Sequence, residues 1–294
     1  MNTLAFGPVA QTAPSQRRRG FLLPSSAPRG LGWHARSFLA LAVLALGAGA
    51  SHAEESTGDG LTVTLGVERS RSSLLGAGRN DKAETSPIFG VDFRSGRFFA
   101  STEQGVGYEF VKSDWLTGFA ALGYQAGRKE GRAGNKKDNQ RLVGTGQVSG
   151  SGLWVAGFNA APLGELVELS VVLLKSTRSE QGLNAIVGAG IGLPVWGPVS
   201  GFVEVGFTYG DRKNNQTFFG VTPAQATRSG NPVFSPKAGF VGSKISVGLE
   251  WEIDKQWSTS ASGGREQLMG EAKKSPLFKD RSDTTAALSV SYKF

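Results

Sequence analysis

Beyond residue 60, apolar positions alternate with small or polar ones through most of the chain, the period of a strand whose two faces meet different surroundings. Leu61, Val63, Leu65 and Val67 oppose Thr62, Thr64, Gly66 and Glu68. Phe89, Val91 and Phe93 oppose Gly90 and Asp92, with Ile88 alone out of pattern. Trp154, Ala156 and Phe158 share one face of a strand predicted over 148–160. Val167, Leu169, Val171 and Leu173 alternate with Glu168 and Ser170, and Leu183 to Leu193 alternate mainly with Gly188, Gly190 and Gly192. Val203, Val205, Phe207 and Tyr209 oppose Glu204, Gly206 and Thr208; Ile245, Val247, Leu249, Trp251 and Ile253 oppose Lys244, Ser246, Gly248, Glu250 and Glu252. Segments 115–125 and 257–266 add two strands. Residues 97–111 read as two short ones, 97–102 and 105–111, which keeps the count even.

The last stretch is the most regular. Ala286, Leu288, Val290, Tyr292 and Phe294 lie on one face, and Ala287, Ser289, Ser291 and Lys293 on the other. Apolar groups outward and small polar groups inward suit lipid outside and water inside. The fold class is therefore all-β, a transmembrane antiparallel up-and-down β-barrel of twelve strands, ten being the alternative count. With both ends periplasmic, the connections at 95–96, 112–114, 161–164, 194–198 and 254–256 are short. Those at 70–86, 126–147, 211–242 and 267–282 are long, the asymmetry such barrels show. Trp115, Trp196, Trp251, Trp257, Tyr292 and Phe294 fall at inner ends, and Tyr124 and Tyr209 at outer ends, as two interfacial belts. The ending, with Leu288, Val290, Tyr292 and Phe294, resembles the terminal signal by which bacterial outer-membrane barrels are assembled. It implies the outer membrane of a Gram-negative cell, with its lipids and lipopolysaccharide as surroundings.

Residues 1–53 read as a signal peptide and 54–294 as the barrel. Five arginines precede an apolar run from Phe38 to Ala50, and Ser51-His52-Ala53 suits signal peptidase, placing cleavage between Ala53 and Glu54. Arg18 and Arg19 resemble a twin-arginine signal, but Pro24 and Pro28 separate them from the apolar run; general export, which carries chains unfolded, fits a barrel better. Five of the 32 Lys and Arg and none of the 24 Asp and Glu lie before residue 54, so the net charge falls from +8 to +3. The basic balance belongs to the leader and gives no argument for nucleic acid. Both histidines, His34 and His52, go with it, and there is no Cys. Without imidazole or thiol there is no Ser-His-Asp triad, Cys nucleophile or ordinary zinc site. No enzyme activity, cofactor or metal is expected.

The register points Glu68, Asp92, Glu109, Glu168, Glu204, Glu250 and Glu252 into the lumen. Such a lining either favours cations or pairs with Lys244, Lys293 and Arg97 to fill a narrow barrel. Glu250 and Glu252 are ordinary inward neighbours on one strand and no acid/base pair. Residues 127–141 carry Arg128, Lys129, Arg132, Lys136, Lys137 and Arg141, either a solvated loop or a bridge to lipopolysaccharide phosphates.

After Tyr209, the run Phe219-Gly220-Val221-Thr222-Pro223 continues through Gln225 to Ser229 and Gly230. It predicts a short helix with Thr222 as N-cap, Pro223 first and Gly230 closing it. This run resembles the characteristic loop of the MipA/OmpV family, as do Gly105-Val106-Gly107-Tyr108, Tyr124 with Gly127-Arg128, Leu268-Met269-Gly270-Glu271-Ala272 with Ser275-Pro276, and the ending Ser291 to Phe294. The first long loop departs from the family, lacking its tyrosine-bearing element. The resemblance implies a scaffold whose partners are a lytic transglycosylase and a penicillin-binding protein. A narrow porin-like channel and a surface adhesin are the alternatives.

Overall fold

The computed structural model describes residues 59–71, 84–131, 133 and 140–294. The expected signal peptide with its Ala53–Glu54 cleavage site, and most of the expected first long connection, lie outside the described residues, as do Arg132, Lys136 and Lys137.

Twelve antiparallel strands close into an up-and-down barrel. They are β1 (Gly60–Arg71), β2 (Glu84–Ser95), β3 (Phe98–Ser101), β4 (Gly105–Lys112), β5 (Leu116–Gln125), β6 (Ser151–Ala160), β8 (Val167–Ser176), β9 (Leu183–Trp196), β10 (Val199–Gly210), β11 (Gly239–Glu252), β12 (Trp257–Leu268) and β13 (Ser282–Lys293). A four-residue strand, β7 (Pro162–Glu165), stands outside the ladder in the turn between β6 and β8. The segment 97–111 is indeed two short strands, β3 and β4, and this division sets the count at twelve.

Closure is made by β1 on β13, where Leu65 faces Val290 and Thr64 faces Ser291. Every strand thereby has two neighbours, which removes the unpaired backbone edge that lipid does not tolerate. Alternation fixes the register, because a slip of one residue would turn each apolar set inward. Leu65, Phe89, Leu122, Trp154, Leu173, Val205, Val247 and Leu288 are all exposed on the outer wall. A continuous apolar wall of this extent belongs in hydrocarbon. Among the described residues no helix is long and apolar enough to cross a membrane; the strands do so.

The wall ends in aromatic belts. At the inner end Trp257, Tyr292 and Phe294 stack edge to face with centroids 4.7 Å apart. At the outer end Phe240 lies between Phe207 and Tyr209. The inner turns are tight; Asp254 Oδ1 accepts from the amides of Gln256 and Trp257 at 2.7 Å each. The outer connections carry two helices, α1 (Arg212–Phe219) and α2 (Pro223–Ser229), and short 3-10 turns at Gln140–Leu142 and Ala272–Lys274.

Candidate functional site: the outer cap and the lumen beneath it

Three outer loops fold into a cap over one mouth of the barrel. α1 starts where Asp211 takes over as N-cap: one carboxylate oxygen accepts from Asn214 N at 2.7 Å and the other from Leu183 N at 3.0 Å, tying the helix to β9. α2 forms as its sequence predicts. Thr222 Oγ1 accepts from Gln225 N, Gln225 Oε1 accepts from Thr222 N at 2.8 Å, Pro223 opens the helix and Gly230 closes it at φ 72°. This reciprocal cap satisfies two amides that a seven-residue helix would otherwise leave bare.

The apolar residues between and beside these helices have their partners in other loops. Phe219, Val221, Leu277 and Ala272 are wholly buried, with Leu142, Phe218, Val241, Leu268 and Phe278 around them. Phe219 and Phe278 rings meet at 5.7 Å. Val221 exchanges both backbone hydrogen bonds with Phe234. Ser275 Oγ donates to Phe219 O at 2.7 Å, and Asn231 Nδ2 to Arg141 O at 2.8 Å. At Gly144 (φ 76°) a Cβ would come within 2.6 Å of the Arg228 backbone, so only glycine allows these loops to approach so closely. Gly220 likewise has Gln216 where a side chain would go.

Of the residues singled out in the characteristic loop, Phe219, Gly220 and Val221 enter the buried core. Thr222 and Gln225 cap α2, whose Ser229 Oγ accepts from Asn231 N. Pro223 and Gly230 are exposed at the two ends of the helix. Arg128, read from the sequence as part of a basic stretch that is either solvated or bridges lipopolysaccharide phosphates, is instead buried; its Nη1 donates to Phe218 O at 2.9 Å. Burial pushes its guanidinium down to about 10, so it stays cationic at neutral pH.

Below the cap the inward faces differ around the barrel. Glu68, Asp92, Glu109, Glu168, Glu204, Glu250 and Glu252 all alternate with the exposed apolar residues of their strands. Glu109 is buried, with Arg94 Nη1 at 2.9 Å and Lys112 Nζ at 3.2 Å, and Arg94 Nε reaches Asp92 at 3.2 Å. Arg94 also lies over the Phe99 ring. Arg97, the expected basic partner, sits exposed in the inner turn and donates toward Phe110 O. Beside the Arg94 network, Phe99, Phe119, Ala121, Leu153 and Val155 form a second buried apolar cluster on the inside of β3, β5 and β6. Sequence reasoning missed it because β5 and β6 are apolar on both faces, and alternation then carries no sign.

The opposite inner wall is built of small groups. Glu168 and Glu204 stand in one row on either side of Gly190. Glu250 lies nearer the inner end of β11, Glu252 is exposed at the mouth, and Ser260 and Ser289 share a hydrogen bond of 2.8 Å. Among the described residues there is no group of His, Cys, Asp or Glu arranged to hold a metal ion.

Among solved structures, the KdgM porin aligns with TM-score 0.41 and 8% identity over 79% of this chain and 99% of that one. The translocator domain of autotransporter NalP from Neisseria meningitidis aligns with TM-score 0.38 and 12% identity over 82% and 90%. A Pseudomonas aeruginosa FadL homologue gives 0.38 and 9% over 80% and 91%. No curated protein matches the chain. The family described as MltA-interacting protein MipA matches residues 63–294, nearly the whole barrel including its cap. This outer-membrane β-barrel belongs to the MipA family.

Proposed function

We propose that the barrel is a scaffold that works from its periplasmic rim, holding a lytic murein transglycosylase and a murein-synthesising penicillin-binding protein together at the outer membrane. The family description names an interaction with MltA, which supports the first partner. The observation that carries the reading is the cap: a fully buried core occupies the outer end and leaves the inner rim as the free face. That rim carries Leu163, Leu166, Val195 and Trp196, all exposed, with Trp196 at 81%. Aromatic and aliphatic groups of this kind anchor protein interfaces. The refolded chain, immobilised in detergent, is expected to enrich a lytic transglycosylase from a periplasmic extract, and Trp196→Ser with Val195→Ser to reduce that enrichment severalfold. No enrichment over an unrelated barrel overturns the scaffold.

A second reading, a narrow channel for small cationic solutes, is favoured by the wall of glycine and serine that holds Glu168, Glu204 and Glu250. It requires the cap to move. Single-channel conductance that stays at the empty-bilayer level, both for the intact chain and after removal of residues 212–236, overturns it.

A further inference from the structure

We propose that the outward faces of β1 and β12, on either side of the terminal strand β13, form a binding site for the phosphate groups of an outer-leaflet glycolipid. On β1 the outward positions run Val63, Leu65, Val67 and then Arg69; on β12 they run Trp257, Thr259, Ala261, Gly263 and then Arg265. Both arginines are exposed on the lipid-facing wall, at the outer end of their stripes. The register brings them to one place. Arg265 lies opposite Thr284, Thr284 lies opposite position 71 of β1, and Arg69 is the next outward position below it, opposite Ala286 and Thr85. With strands about 4.8 Å apart and outward positions about 6.6 Å apart along a strand, the two Cα atoms are about 12 Å apart. Two long side chains bridge that distance to a single headgroup.

A cation on the lipid face of a barrel is costly near the midplane and tolerated at the interface, where headgroup anions meet it. Among the described residues no carboxylate forms an ion pair with Arg69 or Arg265. Their neighbours on that wall are the Thr85 and Thr284 positions, Ala286 and Ile245. Two guanidinium forks separated in this way match phosphate oxygens in bidentate fashion. A headgroup bearing two phosphates on one sugar scaffold, as lipid A does, satisfies both forks at once, whereas phosphatidylglycerol offers one phosphate. Lys175, also outward on β8, has Trp154 and Leu183 and not a second cation as its cross-strand partners.

The test titrates the refolded chain in neutral detergent with bis-phosphorylated lipid A, with the same lipid stripped of phosphate, and with phosphatidylglycerol, counting bound lipid by native mass spectrometry. Lipid A with both phosphates is expected to bind at least about tenfold more tightly than the stripped form. Arg69→Gln and Arg265→Gln are each expected to weaken it by about tenfold, and Lys175→Gln to leave it unchanged. Arg→Lys at both sites, which keeps the charge and loses the fork, is expected to weaken it less. Binding that survives the double Gln variant, or equal binding of the stripped lipid, overturns the site. Tighter binding of phosphatidylglycerol than of lipid A overturns the glycolipid assignment. Both residues point away from the packed interior, and heat-shifted gel mobility reports that each variant has refolded.

Discussion

Ser275 and Phe219, 56 positions apart in the chain, meet inside the cap, where the serine hydroxyl donates to the phenylalanine carbonyl at 2.7 Å. Both residues are buried. Ser275→Ala leaves that carbonyl without this donor in a dry site, an expected loss of about 1–3 kcal/mol. Differential scanning calorimetry should show a lower first transition, and limited proteolysis faster cleavage within residues 211–238, with strand content unchanged.

Phe219→Ala removes the largest wholly buried side chain of the cap. Loss of its contacts with Phe278 and the surrounding core should cost about 3–5 kcal/mol. Since the cap core and the barrel ladder are largely separate sets of contacts, hydrogen exchange should accelerate in α1, α2 and residues 272–278 while the strand amides keep their protection. Uniform acceleration would mean that cap and barrel unfold as one unit.

Arg94→Met leaves the Glu109 carboxylate, with its side chain only 9% exposed, to Lys112 alone. Leaving a mostly buried charge half-paired is expected to cost about 2 kcal/mol in urea unfolding. Glu109→Gln in the same chain should recover part of that loss, because the unpaired charge goes with it; a double-mutant cycle measures the coupling.

Asp254 organises the inner turn before β12. Hydrogen bonds from the Trp257 and Gln256 amides hold its carboxyl below the usual carboxylate range. A depressed carboxyl contributes stability that is fully present above its unfolded value and is lost as pH falls through the lower folded value, on the acid side of the ordinary aspartate range. Exchange of the Trp257 amide should therefore rise, relative to a neighbouring strand amide, only in that acidic range. Asp254→Asn should flatten the profile.

Strand number, closure and the outward wall were legible because alternation is local. Leu288, Val290 and Tyr292 declare their face within five residues, and lipid on one side leaves a single acceptable register. Thr222, Pro223, Gln225 and Gly230 declared α2 in the same way, since a capping box is built from residues three apart. The inner wall was legible only in part. Arg94 took the place expected of Arg97 because a turn at Gly96 sends the latter out of the barrel.

The sequence by itself determined what each strand shows to lipid and where the chain must turn, for those depend on a period of two and on nearest neighbours. Only the tertiary structure decided what is buried inside the barrel and what closes its outer mouth. The buried cluster of Phe99, Phe119, Leu153 and Val155 joins strands whose two faces look alike in sequence. Likewise, Leu142, Phe219, Val221 and Leu277 become a core only once three loops far apart in the chain are brought together by closure of the barrel beneath them.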